Sequence, residues 1–135
     1  MRSLVLAALI ALTGPGGAAM AMSARMTTEA LVETSSLIIV GTYERTATAD
    51  DGRTYGIITA TDVLAGEAPE QIRLAIPQPG QPINSSMALH DVGQSGLWFL
   101  KRLKSGAYSA NHPQRFLASD RAGALIQEVE ALVGQ

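Results

Sequence analysis

The sequence contains no cysteine in its 135 residues, which excludes disulfide bonds, thiolate metal sites and lipid attachment through a cysteine. It also contains no internal repeat, no low-complexity tract and no nucleophile-elbow motif of the hydrolase type. The formal net charge is -2, and such a chain has no electrostatic reason to bind nucleic acid. Hydrophobic residues make up 47% and charged residues 16%, which is typical of one folded domain and not of a disordered chain.

No apolar run in the sequence is long enough to span a bilayer. The run at residues 4–12 holds about nine residues, whereas a transmembrane helix needs roughly 20. It follows Arg2 and leads through a stretch with glycine and proline to Ala19-Met20-Ala21, which fits the small-x-small cleavage rule. The sequence therefore predicts a secretory signal peptide over residues 1–21 and a single domain over residues 22–135, exported to the periplasm or the medium. No membrane span is expected after cleavage.

Residues 37–43, with the sequence Leu-Ile-Ile-Val-Gly-Thr-Tyr, give the clearest strand signal. The run is apolar and mostly β-branched, so we expect a central strand that is buried on both faces. A short helix is predicted before it over residues 26–35, with Thr27 or Thr28 as its cap. Together these segments predict a packed β domain.

The rest of the chain has the pattern of several strands and a closing helix. Further strands are predicted at residues 53–64, 70–76, 96–103, 107–110 and 115–117. Gly56 predicts a bulge or a sharp bend in the first of them. The closing helix is predicted to be capped by Ser119 or Asp120, and its apolar residues recur at helical spacing. We expect it to cover an open end or a seam of the β domain.

Three motifs carry a resemblance to a known family: Leu-Ile-Ile-Val-Gly at 37–41, Thr-Asp-Val-Leu-Ala-Gly at 61–66 and Gly-Leu-Trp-Phe-Leu at 96–100. Over residues 27–110 the chain resembles the netrin-like and metalloproteinase-inhibitor domains, and most of all secreted bacterial proteins with this layout. The resemblance implies a mainly β fold, a small five-stranded OB-like barrel with a short N-terminal helix and a C-terminal helix, and no catalytic residues. Inhibitors of this type bind the protease zinc through an N-terminal cysteine, so this mechanism does not carry over to a chain without cysteine.

The function expected from these observations is a non-enzymatic binding or interaction module of the cell envelope, without a cofactor. Its partner would be an envelope protein, a peptide or a glycan. OB barrels commonly bind oligomers across one face, and such a face could combine basic residues with Tyr43 or Tyr55. An exposed tryptophan is a frequent interface hot spot, although a tryptophan beside Phe99 on a strand is more often a core residue. The candidate partner-binding residues are Trp98, Lys101, Arg102 and His90.

Two other functions remain open at this point. The connection at residues 77–95 is long for a compact domain, and connections of this length are often functional. It contains His90 and Asp91, which together with His112 could serve a small metal-dependent hydrolase, since imidazole and carboxylate groups ligate zinc or copper. Their spacing matches no compact ligand motif. The third function is structural, through assembly with copies of the same chain, and the sequence does not give the oligomeric state.

Overall fold

A computed structural model describes residues 25–82 and 88–134 of the chain. The predicted signal peptide and its cleavage position lie outside the described residues. Within the described part, no helix is both long enough and apolar enough to cross a membrane. The elements are α1 Thr28–Glu33, β1 Leu37–Thr48, β2 Thr54–Ala65, β3 Ile72–Ala75, β4 Ser95–Arg102, β5 Tyr108–Ser109, a 3-10 helix Pro113–Arg115, β6 Phe116–Ala118 and α2 Ser119–Val133.

Five of the strands close into a barrel. β1 pairs antiparallel with β2 on one side and with β4 on the other, and β2 pairs antiparallel with β3. β5 lies parallel to β3 and antiparallel to β4, so the ring order is β1–β2–β3–β5–β4–β1, and β6 extends β4 outside this ring. The predicted fold is confirmed: it is a mainly β, five-stranded OB-like barrel with a short N-terminal helix and a C-terminal helix.

Two hydrophobic cores share the strands β1 and β4. The inner core fills the barrel and consists of Leu37, Ile39, Tyr43, Ile58, Ile72, Leu74, Trp98, Leu100, Tyr108 and Ala110. The outer core lies between the barrel wall and the helices and consists of Leu31, Ile38, Leu97, Phe99, Ala122 and Val129. Successive side chains of a strand point to opposite faces, and Ile38 and Ile39 enter different cores for this reason. The prediction that the strand at residues 37–43 is buried on both faces is therefore confirmed.

The long hairpin of β1 and β2 is irregular, but not where the sequence predicted. The register skips Glu44 in β1 and skips Thr61 and Leu64 in β2, so these three residues are bulged. Gly56 instead pairs in regular register with Thr46. A Cβ atom at Gly56 would lie 2.8 Å from Cζ of Tyr43, so glycine is needed there to make room for the tyrosine ring.

The two helices pack on the outer surface of the barrel. Thr27 caps α1, as its side chain accepts a hydrogen bond from the backbone N–H of Ala30 at 3.0 Å. The N-cap of α2 is Ala118, which makes no side-chain cap bond, so the predicted cap at Ser119 or Asp120 is wrong. Both residues lie inside the first turn, where the carboxylate of Asp120 faces a favourable helix dipole. Val129 of α2 packs in the outer core, so α2 covers the β1–β4 wall of the barrel.

Candidate functional site

Trp98 lies inside the barrel. Its side chain is 0% exposed, its indole Nε1 donates a hydrogen bond to the Gly41 carbonyl at 3.1 Å, and its ring centroid lies 4.4 Å from that of Phe116. β4 has β1 on one edge and β6 on the other at this position, so an inward-facing side chain is fully enclosed. Trp98 is therefore a core residue and not a surface anchor for a partner, which corrects that prediction.

His90 packs against the same aromatic group. Its ring centroid lies 5.1 Å from that of Trp98 and 6.1 Å from that of Phe116. Its Nε2 lies 2.9 Å from the carbonyl oxygen of Ala110, and because a carbonyl only accepts, Nε2 carries the proton in this bond. Its Nδ1 is buried and has no hydrogen-bond partner among the described residues. One ring nitrogen is thus hydrogen-bonded to the backbone and the other is buried, and the ring lines a hollow beside Ala88 and Ala110.

Asp91 and His112, the other members of the hypothetical metal site, have local roles. Burial, and to a smaller extent the negative charge of Asp91, raise the pKa of Tyr43 above its ordinary value. Nδ1 of His112 accepts a hydrogen bond from the backbone N–H of Gln114 at 3.1 Å, at the start of the 3-10 helix. Among residues 25–82 and 88–134, no three His, Asp or Glu side chains are grouped so that they could hold a metal ion.

Lys101 and Arg102 are both exposed, but they lie on opposite faces of β4. Lys101 is opposite Ser109 in the strand register, and Arg102 is opposite Tyr108, whose side chain belongs to the inner core. Arg102 lines a hollow together with Glu67. The two predicted partner-binding residues therefore do not share one basic face.

Arg115 is a buried charged residue that the sequence analysis did not single out. Its side chain is 4% exposed, and burial lowers its pKa. Its guanidinium donates hydrogen bonds to the hydroxyls of Thr34 at 2.8 Å and Ser35 at 3.1 Å, and to the carbonyl of Phe99 at 3.4 Å. Thr34 and Ser35 follow α1, where the partial negative charge of a helix C-terminus favours a cation. Arg115 therefore fastens the end of α1 to β4, which is a structural role.

The outer surface of β1, β2 and β3 carries two arginines on either side of an apolar residue. The strand register places Arg45 opposite Ile57 and Ile57 opposite Arg73. Neighbouring strands are roughly 5 Å apart, so the three side chains form a row across the sheet. The guanidinium carbon of Arg73 lies 5.2 Å from the ring centroid of Tyr55, which is the next residue on the same face of β2. We call these four residues the arginine face.

The arginine face combines an apolar floor with two available cations. Ile57 is 6% exposed and Tyr55 is 7% exposed, although both point away from the inner core. The guanidinium of Arg73 covers the ring of Tyr55, and long arginine side chains can cover apolar surface in this way. Neither Arg45 nor Arg73 forms an ion pair with a carboxylate of the described residues. The face can therefore accept negatively charged groups from outside without first breaking an internal ion pair.

A groove of about 530 Å³ runs along β2 beside the arginine face. Arg45 and residues 57–60 of β2 form one wall, and residues 68–72 form the other. β2 pairs with β3 only as far as Ile58, and in the described part of the chain no backbone hydrogen bond joins the loop at 66–71 to the strand. The β2 edge at residues 59–63 is therefore unpaired, and such an edge can hydrogen-bond to an extended chain. We call this feature the β2 groove.

Sequence reasoning did not find the arginine face because its members are far apart in the chain. Arg73 could be placed on the outer face from the alternation with Ile72 and Leu74. Arg45 could not be placed there from the sequence. Tyr43 points into the barrel, so regular alternation would point Arg45 inward as well. The bulge at Glu44 turns Arg45 outward instead. A bulge of this kind leaves no clear signal in a polar stretch.

Comparison with known proteins adds no family assignment. No protein-family model matches the sequence, and a search of the curated proteins also finds no match.

Proposed function

We propose that this protein is an exported, non-enzymatic binding module of the cell envelope, and that it binds its partner through the β2 groove and the adjoining arginine face. The signal-peptide pattern at residues 1–21 supports the export. The resemblance to netrin-like domains supports a binding role in a barrel without catalytic residues, and kinship with that group is part of the proposal.

The observation that carries the proposal is the unpaired edge of β2 next to the groove. Exposed strand edges are usually shortened, covered or paired, because they attract other chains. Here the loop at 66–71 diverges from the strand after Ile58 and leaves space between the two walls. Backbone donors and acceptors, an apolar floor and two arginines therefore meet at one place, and these are the components of a peptide or protein contact.

The alternative of a metal-dependent hydrolase receives no support from a specific contact. It would need His90 as a ligand or a base, and a general base must reach the proton that it takes. The ring of His90 is instead packed against Trp98, with Nε2 on the Ala110 carbonyl. Binding is the function that the described geometry favours.

A pair of matched substitutions tests the proposal. Ala68→Trp would fill the groove from its outer wall, and Ala124→Trp would place the same side chain on exposed α2. The full-length chain and both variants would be crosslinked in envelope extract of the source cell, and captured proteins identified by mass spectrometry. We expect one saturable partner with the parent chain and with Ala124→Trp, and its loss with Ala68→Trp. Retention of the same partner by Ala68→Trp would contradict a binding role for the β2 groove.

A further inference from the structure

We infer that the occupant of the β2 groove is an extended peptide segment that carries carboxylate side chains, and that these carboxylates pair with Arg45 and Arg73. The inference depends on the proposed function, since it specifies the chemistry of the partner at the same surface.

The backbone of the groove favours an extended peptide. One edge of β2 is hydrogen-bonded to β1, with Thr59 opposite Thr42 and Ala60 opposite Gly41. On the other edge of β2, which faces the groove, Thr59 and Ala60 lack a strand partner among the described residues. Thr61 is bulged, and a bulge interrupts regular pairing. The edge therefore offers a short run of hydrogen-bonding groups, enough to hold a few residues of an extended chain but not to add a long strand.

The charge of the surface favours carboxylates on that chain. Arg45 lines the groove, and Arg73 lies across Ile57 from it in the same row. The guanidinium of Arg73 lies over the ring of Tyr55, and an ion pair is stronger beside such low-dielectric surface than in open water. A guanidinium also presents a planar fork that matches a carboxylate. Arg73 is already oriented, because its guanidinium carbon lies 5.2 Å from the centroid of Tyr55.

The two arginines flank β2 on both sides. Arg45 and Arg73 lie two strand positions apart across the sheet, which is roughly 10 Å between backbones. A peptide paired with the β2 edge runs along the strands and continues the line of β3, so its outward side chains come next to Arg73. Arg45 reaches the same side chains from the far side of β2, because an arginine side chain is long.

Three acidic residues adjoin the same surface and limit the register of the peptide. Glu44 is the bulged residue before Arg45, Glu70 lies on the outer wall of the groove, and Asp62 lies in the unpaired edge of β2 and is exposed. None of them forms an ion pair with an arginine in the described part of the chain. They repel carboxylates placed near them, which directs the acidic side chains of a peptide toward the arginine face and away from the outer wall.

The test compares two end-blocked, fluorescein-labelled peptides, one of alternating Val and Glu and one of alternating Val and Gln. Fluorescence anisotropy with the full-length chain gives the affinity of each at low and at high salt. We expect the Val-Glu peptide to bind about fivefold tighter at low salt, as two exposed ion pairs would give. The difference should shrink at high salt, because salt screens exposed charges.

Arginine variants assign the preference to its residues. The double variant Arg45→Gln with Arg73→Gln should bind both peptides equally, with the affinity of the parent chain for Val-Gln. Arg121→Gln removes an exposed arginine of α2 and should keep the full preference for Val-Glu. Circular dichroism melting curves of all variants must match that of the parent chain, so that a loss of binding is not a loss of fold.

The outcomes separate the two proposals. Equal binding of both peptides by the parent chain would overturn the acidic specificity and leave the β2 groove as the binding surface. Binding of polygalacturonate, a carboxylated glycan, in an Arg45- and Arg73-dependent manner, with neither peptide bound, would overturn the peptide partner. The proposed function itself fails only in the separate experiment, if Ala68→Trp keeps the captured partner.

Discussion

At the scale of single residues, the side chains with the most reactive chemistry in this protein serve the fold. His90 packs against Trp98, which belongs to the inner core. The guanidinium of Arg115 donates hydrogen bonds to the hydroxyls of Ser35 and Thr34, which follow α1. Arg45 and Arg73, which lie in ordinary strand sequence, form no ion pair with the described residues. Residue type alone therefore does not identify the residues that support the fold, because burial and hydrogen bonding decide which ones do so.

Tyr43 gives a pH dependence that can be measured. Burial, followed by the charge of Asp91, raises its pKa in the folded chain, whereas an unfolded chain loses the phenol proton near pH 10. The group thus contributes stability that is fully present below about pH 10 and is lost as the pH rises from there through the folded pKa. We expect the free energy of unfolding in urea to fall more steeply above pH 10 for the parent chain than for Tyr43→Phe.

The control for this prediction is Asp91→Asn, which removes the smaller of the two causes. Its curve should lie closer to that of the parent chain than to that of Tyr43→Phe, since burial remains. Parallel curves for the parent chain and Tyr43→Phe between about pH 9 and pH 11 would show that Tyr43 is not linked to alkaline unfolding.

At the scale of elements, the alternation of inward and outward side chains describes the regular parts of the strands. It fails where a strand is bulged or polar. In β4 the side chains alternate regularly, with Trp98 and Leu100 in the inner core and Leu97 and Phe99 in the outer core, so a period of two describes this strand. β1 was expected to end at Tyr43, but it continues to Thr48 because β2 pairs with it along this polar stretch. Pairing with β2 stabilises this part of β1, and the residue pattern of residues 44–48 alone does not predict that pairing.

The same limit explains what was missed at the candidate site. The outward position of Arg45 depends on the bulge at Glu44, and the unpaired edge of β2 depends on where β3 begins. Both are properties of strand register, which is a relation between segments. The buried position of Trp98 became definite only when β1 and β6 were placed on the two edges of β4.

Two glycines in different elements should respond to alanine in opposite directions. A Cβ at Gly96 would overlap the carbonyl oxygen of Leu117 in β6, a backbone atom that cannot move without breaking the β4–β6 pairing. Gly96→Ala should therefore destabilise the fold by at least about 2 kcal/mol. Nothing lies within 4 Å of a Cβ at Gly123 in α2, so Gly123→Ala should stabilise by about 0.5–1 kcal/mol. Urea unfolding of both variants measures the two changes, and a loss of stability in Gly123→Ala would mean that α2 is not formed as described.

At the scale of the whole molecule, the two cores are coupled through shared strands. Ile38 and Ile39 are neighbours in β1 yet belong to different cores, and Phe99 and Leu100 do the same in β4. Loss of the outer core would expose one face of both strands, and loss of the inner core would remove the wall on which α2 packs. We therefore expect the barrel and the helices to unfold as one cooperative unit.

A substitution in the outer core tests this coupling with two signals from different parts of the molecule. Trp98 is the only tryptophan in the sequence and lies in the inner core, so its fluorescence reports on the barrel, while far-ultraviolet circular dichroism reports on α2. Val129 is 0% exposed in the outer core, and Val129→Ala should cost about 1–3 kcal/mol. Both signals should shift to lower urea by the same amount, whereas Val133→Ala, at a position that is 37% exposed, should shift neither by more than about 0.5 kcal/mol. If the helical signal of Val129→Ala disappears before the Trp98 signal changes, α2 unfolds independently, because a barrel that needed the helix could not outlast it.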